Sequence, residues 1–257
     1  MYSVTLEALG KSAQVKANFV KNSKGKYLTA SALAGFYVGL GILLIMTIGG
    51  LLSSAGSPAT KIVMGASFGI ALSLVIMAES ELFTGNNLVM TAGALDKKVT
   101  WKSALSIWFF SYIGNFIGSF IVGYFFVMTG ATNGVVGEFV LKVSAGKMGG
   151  EFIPLMFKGI LCNILVCLAV LSSIKMKSES GKLIMIFWCL FAFITSGFEH
   201  SIANMTIFSI GLLMDHSDSV SIMGMFQNLI PVTIGNFIGG AVLVGGTYYY
   251  MGRKNEA

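Results

Sequence analysis

Charged side chains are scarce in this chain of 257 residues: Asp, Glu, Lys and Arg make up 11% of it, whereas 55% of the residues are hydrophobic. A soluble domain of this length carries about 25% charged residues. So few charges cannot cover the surface of a protein of this size with polar groups. The outer surface must therefore face lipid, which predicts an all-α protein embedded in a bilayer.

Metal-ligating residues are equally few. The three cysteines, Cys162, Cys167 and Cys189, lie in apolar tracts and form no C-x-x-C pair, and the only histidines are His200 and His216. This composition argues against a metal site or a disulfide. We therefore expect no cofactor and no enzymatic activity, although Glu199 beside His200 leaves an acid–base pair as a minor alternative.

The chain has three prolines, Pro58, Pro154 and Pro231, and none of them follows an asparagine. Water and glycerol channels pair two Asn-Pro-Ala half-helices, so this class is disfavoured.

Long apolar tracts are what the sequence does have. A spanning helix needs about 20 apolar residues, and six tracts meet that length: 28–54, 60–95, 103–129, 153–174, 183–214 and 222–251. They predict one transmembrane channel domain over residues 28–252, between a basic N-terminal segment (1–27) and a short C-terminal tail (253–257).

The basic residues are distributed unevenly between the two sides of such a bundle. With six spans, the side that holds both termini carries 13 Lys and Arg, and the other side carries four, namely Lys61, Lys142, Lys147 and Lys158. Cytoplasmic loops are the ones enriched in Lys and Arg, so both termini are predicted to be cytoplasmic, in an inner (plasma) membrane. The net charge of +6 is then a topology signal and does not indicate a nucleic-acid partner.

A short motif recurs in the third and sixth tracts. "IGNFIG" occupies residues 113–118 and again residues 234–239. The second and fifth tracts are both interrupted by polar residues, "ESELFTGNN" (79–87) and "FEHSIANM" (198–205). Two copies of a three-helix unit, with helices 2 and 5 broken, are therefore predicted. Because three spans is an odd number, the second copy is inverted relative to the first, which is the plan of many transporters and channels.

The two interruptions place ionisable groups at membrane depth, where each charge costs from about 3 to more than 10 kcal/mol. Glu81 and Glu199 are predicted to hold the breaks in shape by accepting hydrogen bonds from freed backbone N–H groups, and Gly85 to end the first half-helix. The new half-helix N-termini favour an anion. His200 is interpreted as a pathway residue, with a packing role as the alternative, and Asn163 as a cavity residue on the same helix face as Val166.

Five segments carry a resemblance to a known family: "ELFTGN" (81–86), "IGNFIG" (113–118), "KGILCNILVCLA" (158–169), "FEHSIANM" (198–205) and "NLIPVTIGNFIGG" (228–240). In this order they closely resemble the formate/nitrite transporter family, and most of all its hydrosulfide-channel branch. The resemblance implies an aquaporin-like protomer, a homopentamer and one pore in each protomer.

The resemblance also implies roles for individual residues. It places His200 and Thr84 at the pore centre, with Asn163 and Asn204 beside them. The outer constriction that it implies consists of Leu82, Phe83 and Val166, with Lys147 nearby, and the cytoplasmic constriction of Leu72 and Phe193. The function expected is a channel for small monovalent anions such as hydrosulfide, formate or nitrite. The alternative is a proton-coupled secondary transporter that carries the same anions as neutral acids.

Overall fold

The computed structural model describes residues 2–253, and within that range every regular element is helical. The C-terminal tail predicted from residue 253 lies almost wholly outside the described residues. The helices are α1 (Tyr2–Asn22), α2 (Lys24–Ser54), α3 (Thr60–Ser67), α4 (Gly69–Met77), α5 (Phe83–Leu95), α6 (Trp101–Met128), α7 (Val135–Met148), α8 (Phe152–Lys175), α9 (Glu179–Thr195), α10 (Ser201–Leu213), α11 (Ile222–Phe237), a π-helical segment (Ile238–Gly246) and α12 (Thr247–Gly252).

Five helical stretches are long and apolar enough to cross a bilayer: Lys24–Ser54, Thr60–Met77, Trp101–Met128, Phe152–Lys175 and Ile222–Gly252. The fifth predicted tract, 183–214, is divided between α9 and α10, and each of these is shorter than a full span. The second predicted tract is also interrupted, between α4 and α5. The interruptions, at residues 78–82 and 196–200, each overlap one of the polar segments that the sequence singled out.

Glycines of the repeated motif let two helix pairs pack backbone against backbone. A Cβ atom on Gly118 of α6 would collide with the carbonyl oxygen of Ala32 on α2. A Cβ atom on Gly239, just after α11, would collide with the carbonyl oxygen of Ile160 on α8. Small residues at such crossings allow the close approach on which helix association in membranes depends. The two pairs, α2 with α6 and α8 with α11, frame the bundle.

Two further helices lie outside the six predicted tracts. The sequence analysis described residues 1–27 only as a basic segment, yet α1 buries Leu6, Leu9 and Ala13 and packs against α5. Likewise α7, in the connection after α6, buries Val136 and Val140 and packs against α2. Each of these helices brings one lysine to one of the two breaks.

Candidate functional site

The first break, between α4 and α5, is held by an asparagine of the repeated motif. The chain leaves α4 after Met77, and Glu79 adopts a left-handed conformation with φ of 51°. The backbone N–H of Phe83, the first residue of α5, donates to Asn115 Oδ1 at 2.9 Å. Asn115 Nδ2 in turn donates to the carbonyl oxygens of Ser31 (2.7 Å) and Glu81 (2.9 Å).

The second break, between α9 and α10, has the same set of contacts. Gly197 takes the left-handed conformation, with φ of 72°. The N–H of Ser201 donates to Asn236 Oδ1 at 2.9 Å. Asn236 Nδ2 donates to the carbonyl oxygens of Gly159 (2.8 Å) and Glu199 (2.9 Å). Asn115 and Asn236 hold the same position in the two copies of "IGNFIG". The two copies therefore make matching hydrogen bonds, one at each break.

Two sequence predictions about the breaks need correction. Gly85 does not end a half-helix, because it lies inside α5. The residue with the left-handed conformation at this break is Glu79. The freed N–H groups of Phe83 and Ser201 do not bind Glu81 and Glu199, because the asparagine side chains of α6 and α11 reach them first. These partners are 32 and 35 residues away along the chain, so no local pattern showed them.

Glu81 binds side chains instead. Its carboxylate accepts two bonds from Lys16 Nζ, at 2.7 and 2.8 Å, one from the Tyr27 hydroxyl at 2.9 Å and one from Asn86 Nδ2 at 3.2 Å. Lys16 belongs to α1, so the N-terminal helix is tied directly to the first break.

Glu199 has a matching environment. It accepts two bonds from Lys147 Nζ of α7, at 2.8 and 2.7 Å, and one from Asn204 Nδ2 at 2.6 Å. Asn204 also donates to Asn228 Oδ1 at 2.8 Å. Each glutamate is therefore compensated by one lysine and by one asparagine five residues further along the chain, as a charge at membrane depth requires.

His200 and Thr84 meet between the two breaks. Thr84 Oγ1 lies 2.9 Å from His200 Nε2, and both residues are buried. The other ring nitrogen, Nδ1, accepts the backbone N–H of Ala203 at 3.1 Å and so caps α10. Because Nδ1 faces a donor, the proton of the neutral ring belongs on Nε2 and points to Thr84 Oγ1. The hydroxyl hydrogen of Thr84 is then available to a ligand.

Three cavities adjoin one another through shared lining residues. The Lys147 cavity, of about 610 Å³, reaches Glu199, His200, Asn204 and Phe193. The Lys16 cavity, of about 440 Å³, reaches Glu81, Gly85, Leu72 and Leu82. A central cavity of about 10 Å³ lies between them and is lined by Val38, Phe68, Ala71, Leu72, Leu82, Val166, Leu190, Phe193 and His200. That volume accommodates about one water molecule, so the path is open at both ends and narrow in the middle.

The two constrictions are composed differently from the prediction. Leu82 was grouped with Lys147, and Leu72 with Phe193, but Leu72 and Leu82 both line the Lys16 cavity, whereas Phe193 lines the Lys147 cavity. Residues on both flanks of the first break line the Lys16 cavity, and residues on both flanks of the second break line the Lys147 cavity. Val166 lies in the central cavity.

Two more predicted site residues, Phe83 and Asn163, are not in the lining of these cavities. Phe83 packs edge-on against Tyr112, with ring centroids 5.0 Å apart, and it is not in the lining of these three cavities. Asn163 is fully buried and donates to the carbonyl oxygens of Thr84 (3.2 Å) and Asn236 (2.6 Å). Asn163 therefore supports the backbone that presents Thr84, and it does not line a cavity as the sequence suggested.

The sequence analysis missed Phe68, Lys16 and Tyr27. Phe68 packs edge-on against Phe193, with ring centroids 5.8 Å apart, and completes the apolar wall of the central cavity. Its position four residues before Leu72 was a usable signal, because residues four apart share one helix face. Lys16 and Tyr27 gave no such signal, because they lie 65 and 54 residues from Glu81. Within residues 2–253, no group of three or more His, Cys, Asp and Glu side chains is placed to hold a metal ion.

Comparisons with known proteins agree with this geometry. The family model "Formate/nitrite transporter" matches residues 3–250. The nitrite transporter NirC of Escherichia coli (strain K12) is 40% identical over 255 residues, which is 99% of this chain and 94% of that protein. A solved structure, "FNT family ion channel", superposes with a TM-score of 0.91 at 40% identity, over 96% of this chain and 98% of that one. A second, "Pentameric formate channel with formate bound", gives a TM-score of 0.76 at 28% identity, over 90% and 98% of the two chains.

Proposed function

The chain belongs to the formate/nitrite transporter family, and from that premise we propose that it is a membrane channel through which small monovalent anions pass one at a time. The observation that carries the proposal is His200, which lines a narrow, apolar centre between two wide cavities and lies 2.9 Å from Thr84 Oγ1. Neither a metal nor another cofactor takes part.

The membrane arrangement that we propose has six crossings in two inverted three-helix copies, with an aquaporin-like path between them. Helices α3 to α5 form the second crossing, and α9 and α10 the fifth. The matching contacts of Asn115 and Asn236 support the two copies. Both termini face the cytoplasm of a cell whose inner membrane holds the protein, because 13 of the 17 basic residues then lie on that side. The Lys147 cavity opens outward and the Lys16 cavity inward.

Selection in this scheme comes from the apolar centre. A central cavity of about 10 Å³ forces an anion to lose nearly all of its hydration shell, as hydrophobic constrictions in other channels do. Phe68 and Phe193 form the outer side of the constriction, and Leu72 and Leu82 form the inner side. The hydroxyl of Thr84 replaces part of the lost hydration by donating to the anion, while His200 holds that hydroxyl in place.

A proton-coupled transporter on the same scaffold remains the second candidate. In that scheme His200 passes a proton to the anion, and neutral acid crosses the centre. The contact that favours it is the direct bond between His200 Nε2 and Thr84 Oγ1, which links the ring proton to the anion site. Steady currents under voltage clamp, measured without a proton gradient, support the channel, and electrically silent flux that follows the proton gradient supports the transporter.

The anion class follows from the relatives. Their names specify nitrite and formate, and hydrosulfide remains our hypothesis from the sequence motifs alone. One of the two solved structures is pentameric by its name, so we propose a homopentamer with one pore in each protomer. Light scattering in mild detergent that gave a monomer or a trimer would contradict the pentamer.

Purified protein in liposomes tests the function. We expect uptake of formate, nitrite and hydrosulfide that liposomes without protein lack. Thr84→Val keeps the shape but removes the hydroxyl, and we expect about tenfold slower flux, because a hydrogen bond to a charged group contributes about 1.5–3 kcal/mol. Thr84→Ser keeps the hydroxyl and is the matched control. Equal flux in Thr84→Val and wild type would remove Thr84 from the anion site.

A further inference from the structure

At the Lys147 end of the molecule, the basic residues line the cavity and most acidic residues lie outside it. All four lysines that the topology assigns to this end line the Lys147 cavity: Lys61, Lys142, Lys147 and Lys158. The acidic residues of the same end that lie outside the cavity lining are Glu138, Glu151, Asp215 and Asp218. The only acidic residue in the lining is Glu199, which is already paired with Lys147.

Three of these lysines carry uncompensated charge. Among residues 2–253, Lys61, Lys142 and Lys158 have no carboxylate within 4.0 Å. Glu138 lies one helical turn before Lys142 on α7, and it is exposed and forms no ion pair with it. The charge of Lys147 is neutralised by its ion pair with Glu199. The cavity therefore holds an excess of three positive charges in front of the constriction.

The cavity at the other end has the opposite sign. Its lining contains one lysine, Lys16, and two glutamates, Glu79 and Glu81. The two mouths of the path therefore differ in charge, although the buried contacts of the two breaks match. This difference belongs to the cavity linings only, because the topology assigns 13 of the 17 basic residues to the Lys16 side of the molecule.

We propose that Lys61, Lys142 and Lys158 form a binding site for divalent oxyanions such as sulfate, and that an anion bound there blocks the path from the Lys147 side only. The cavity of about 610 Å³ has room for such an anion beside its hydration water. The apolar centre, at about 10 Å³, would instead strip the hydration shell from any anion that enters it. Removing that shell costs far more for a divalent than for a monovalent anion, so a divalent oxyanion is held at the mouth and competes there with monovalent anions for access.

The same lysines also affect the permeant anion. They raise its local concentration at the Lys147 mouth, so flux from that side should reach half-saturation at a lower concentration in wild type than in a variant without these three charges. This effect depends on ionic strength, because the Debye length falls from about 30 Å at 0.01 M salt to about 8 Å at 0.15 M. This inference rests on the proposed channel function for its flux readout, but sulfate binding itself does not depend on transport.

A triple variant tests the site: Lys61→Gln, Lys142→Gln and Lys158→Gln together. The matching Lys→Arg triple keeps the charge, and Lys177→Gln removes one exposed lysine from the connection between α8 and α9, at the other end of the molecule. The first measurement is sulfate binding to the purified oligomer by isothermal titration calorimetry at low salt. We expect the Gln triple to weaken binding about tenfold, and the Arg triple and Lys177→Gln to bind as wild type.

The second measurement is formate influx into right-side-out and into inverted membrane vesicles, each corrected for vesicles that lack the protein. External sulfate should inhibit wild-type influx in right-side-out vesicles, and the Gln triple should need about ten times more sulfate. Inhibition of equal strength in both vesicle types, or unchanged inhibition of the Gln triple, would overturn the proposal. Lysine-dependent sulfate binding without any formate flux would instead refute the channel function and leave the binding site standing.

Discussion

Glu199 shows how a single ionisable residue is made tolerable at membrane depth. Its carboxylate has a side-chain exposure of 7% and accepts from Lys147 and Asn204. Glu81 has an exposure of 10% and accepts from Lys16, Tyr27 and Asn86. The lysines come from α7 and α1, so the charge balance of the two breaks depends on helices outside the six apolar tracts.

The Lys147–Glu199 pair provides a prediction about stability. Lys147→Met leaves the carboxylate of Glu199 without its counter-charge, and breaking a buried pair in this way costs about 3–5 kcal/mol. We expect a value near 3 kcal/mol, because Lys147 retains 21% exposure. The double variant Lys147→Met/Glu199→Gln removes both charges and should recover most of the loss. Thermal unfolding of the purified oligomer in detergent measures both effects, and a double variant less stable than Lys147→Met would contradict this explanation.

His200 caps α10 and, in the proposed mechanism, can carry a proton; different substitutions separate these two roles. Asparagine is among the best N-cap residues and alanine a poor one, so His200→Asn should keep the cap on Ala203 N–H and His200→Ala should lose about 1 kcal/mol of stability. Asparagine cannot carry a proton at neutral pH, so we expect His200→Asn to keep measurable formate flux with a weaker pH dependence than wild type. A pH series in liposomes checks this. If the histidine variants match wild type at every pH, His200 is a packing residue.

At the scale of elements, the repeated motif joins pairs of helices to the breaks. Gly235 and Gly239 bring α11 and the π-helical segment against the backbone of α8, and Asn236, between them, reaches the second break. Gly114, Gly118 and Asn115 do the same for α6, α2 and the first break. The close approach and the hydrogen bonds belong together, because an asparagine side chain is short and spans the gap only when the two backbones nearly touch.

Asn236→Leu tests that connection. The substitution leaves the N–H of Ser201 and the carbonyls of Gly159 and Glu199 without their partner. Each unsatisfied buried group costs about 1–3 kcal/mol, so we expect a loss of at least about 3 kcal/mol together with loss of anion flux. Asn115→Leu should do comparable damage at the first break, whereas Asn133→Leu, at an exposed turn, should be close to neutral. Thermal unfolding and liposome flux provide the readouts.

The glycines provide a matched pair of substitutions. A Cβ atom at Gly239 would collide with the carbonyl oxygen of Ile160, whereas at Gly146 it would meet no atom within 4 Å. We expect Gly239→Ala to lower the unfolding midpoint and reduce the yield of folded oligomer, because backbone cannot move aside as a flexible side chain can. Gly146→Ala should be neutral or slightly stabilising, since alanine is favoured over glycine in a helix by about 1 kcal/mol. Equal effects of the two changes would show that this contact does not matter.

At the scale of the whole molecule, the outer surface is apolar and the polar side chains are concentrated in the interior. Large apolar side chains such as Leu105, Phe109 and Trp188 are more than half exposed, as a bilayer requires. Buried polar side chains such as Glu81, Glu199 and Asn204 are instead hydrogen-bonded to one another or to nearby lysines. This arrangement is that of an integral membrane protein.

The proposed orientation has a direct test. Ser217, in the connection between α10 and α11, and Ser178, in the connection between α8 and α9, are both exposed. We expect a membrane-impermeant maleimide to label Ser217→Cys in intact cells and Ser178→Cys only after the cells are opened. The native cysteines are buried, so their background is small. The reverse pattern would place the Lys147 cavity on the cytoplasmic side.

Much of the fold followed from the sequence alone, because it rests on local or periodic information. Apolar tract length indicated a helical membrane protein, and the polar segments at 79–87 and 198–205 located both interruptions. The recurrence of "IGNFIG" predicted which helices correspond, and Asn115 and Asn236 of the two copies make matching contacts. The family was also recognisable, since five short segments in a fixed order carry the resemblance. His200 and Thr84 were correctly expected to lie together, as their separation of 2.9 Å shows.

The tertiary structure decided what depends on contacts between distant parts of the chain. It paired Glu81 with a lysine of α1 and Glu199 with a lysine of α7. It also placed Asn115 and Asn236 where their side chains accept the freed backbone N–H groups. It placed Leu82 in the lining of the Lys16 cavity and Phe193 in the lining of the Lys147 cavity. It also gathered four lysines, which are spread over nearly 100 residues of sequence, around one cavity. Hydropathy predicts which residues avoid water, but it does not predict which side chains contact each other. Those contacts at membrane depth depend on the packing of helices that are far apart in the sequence.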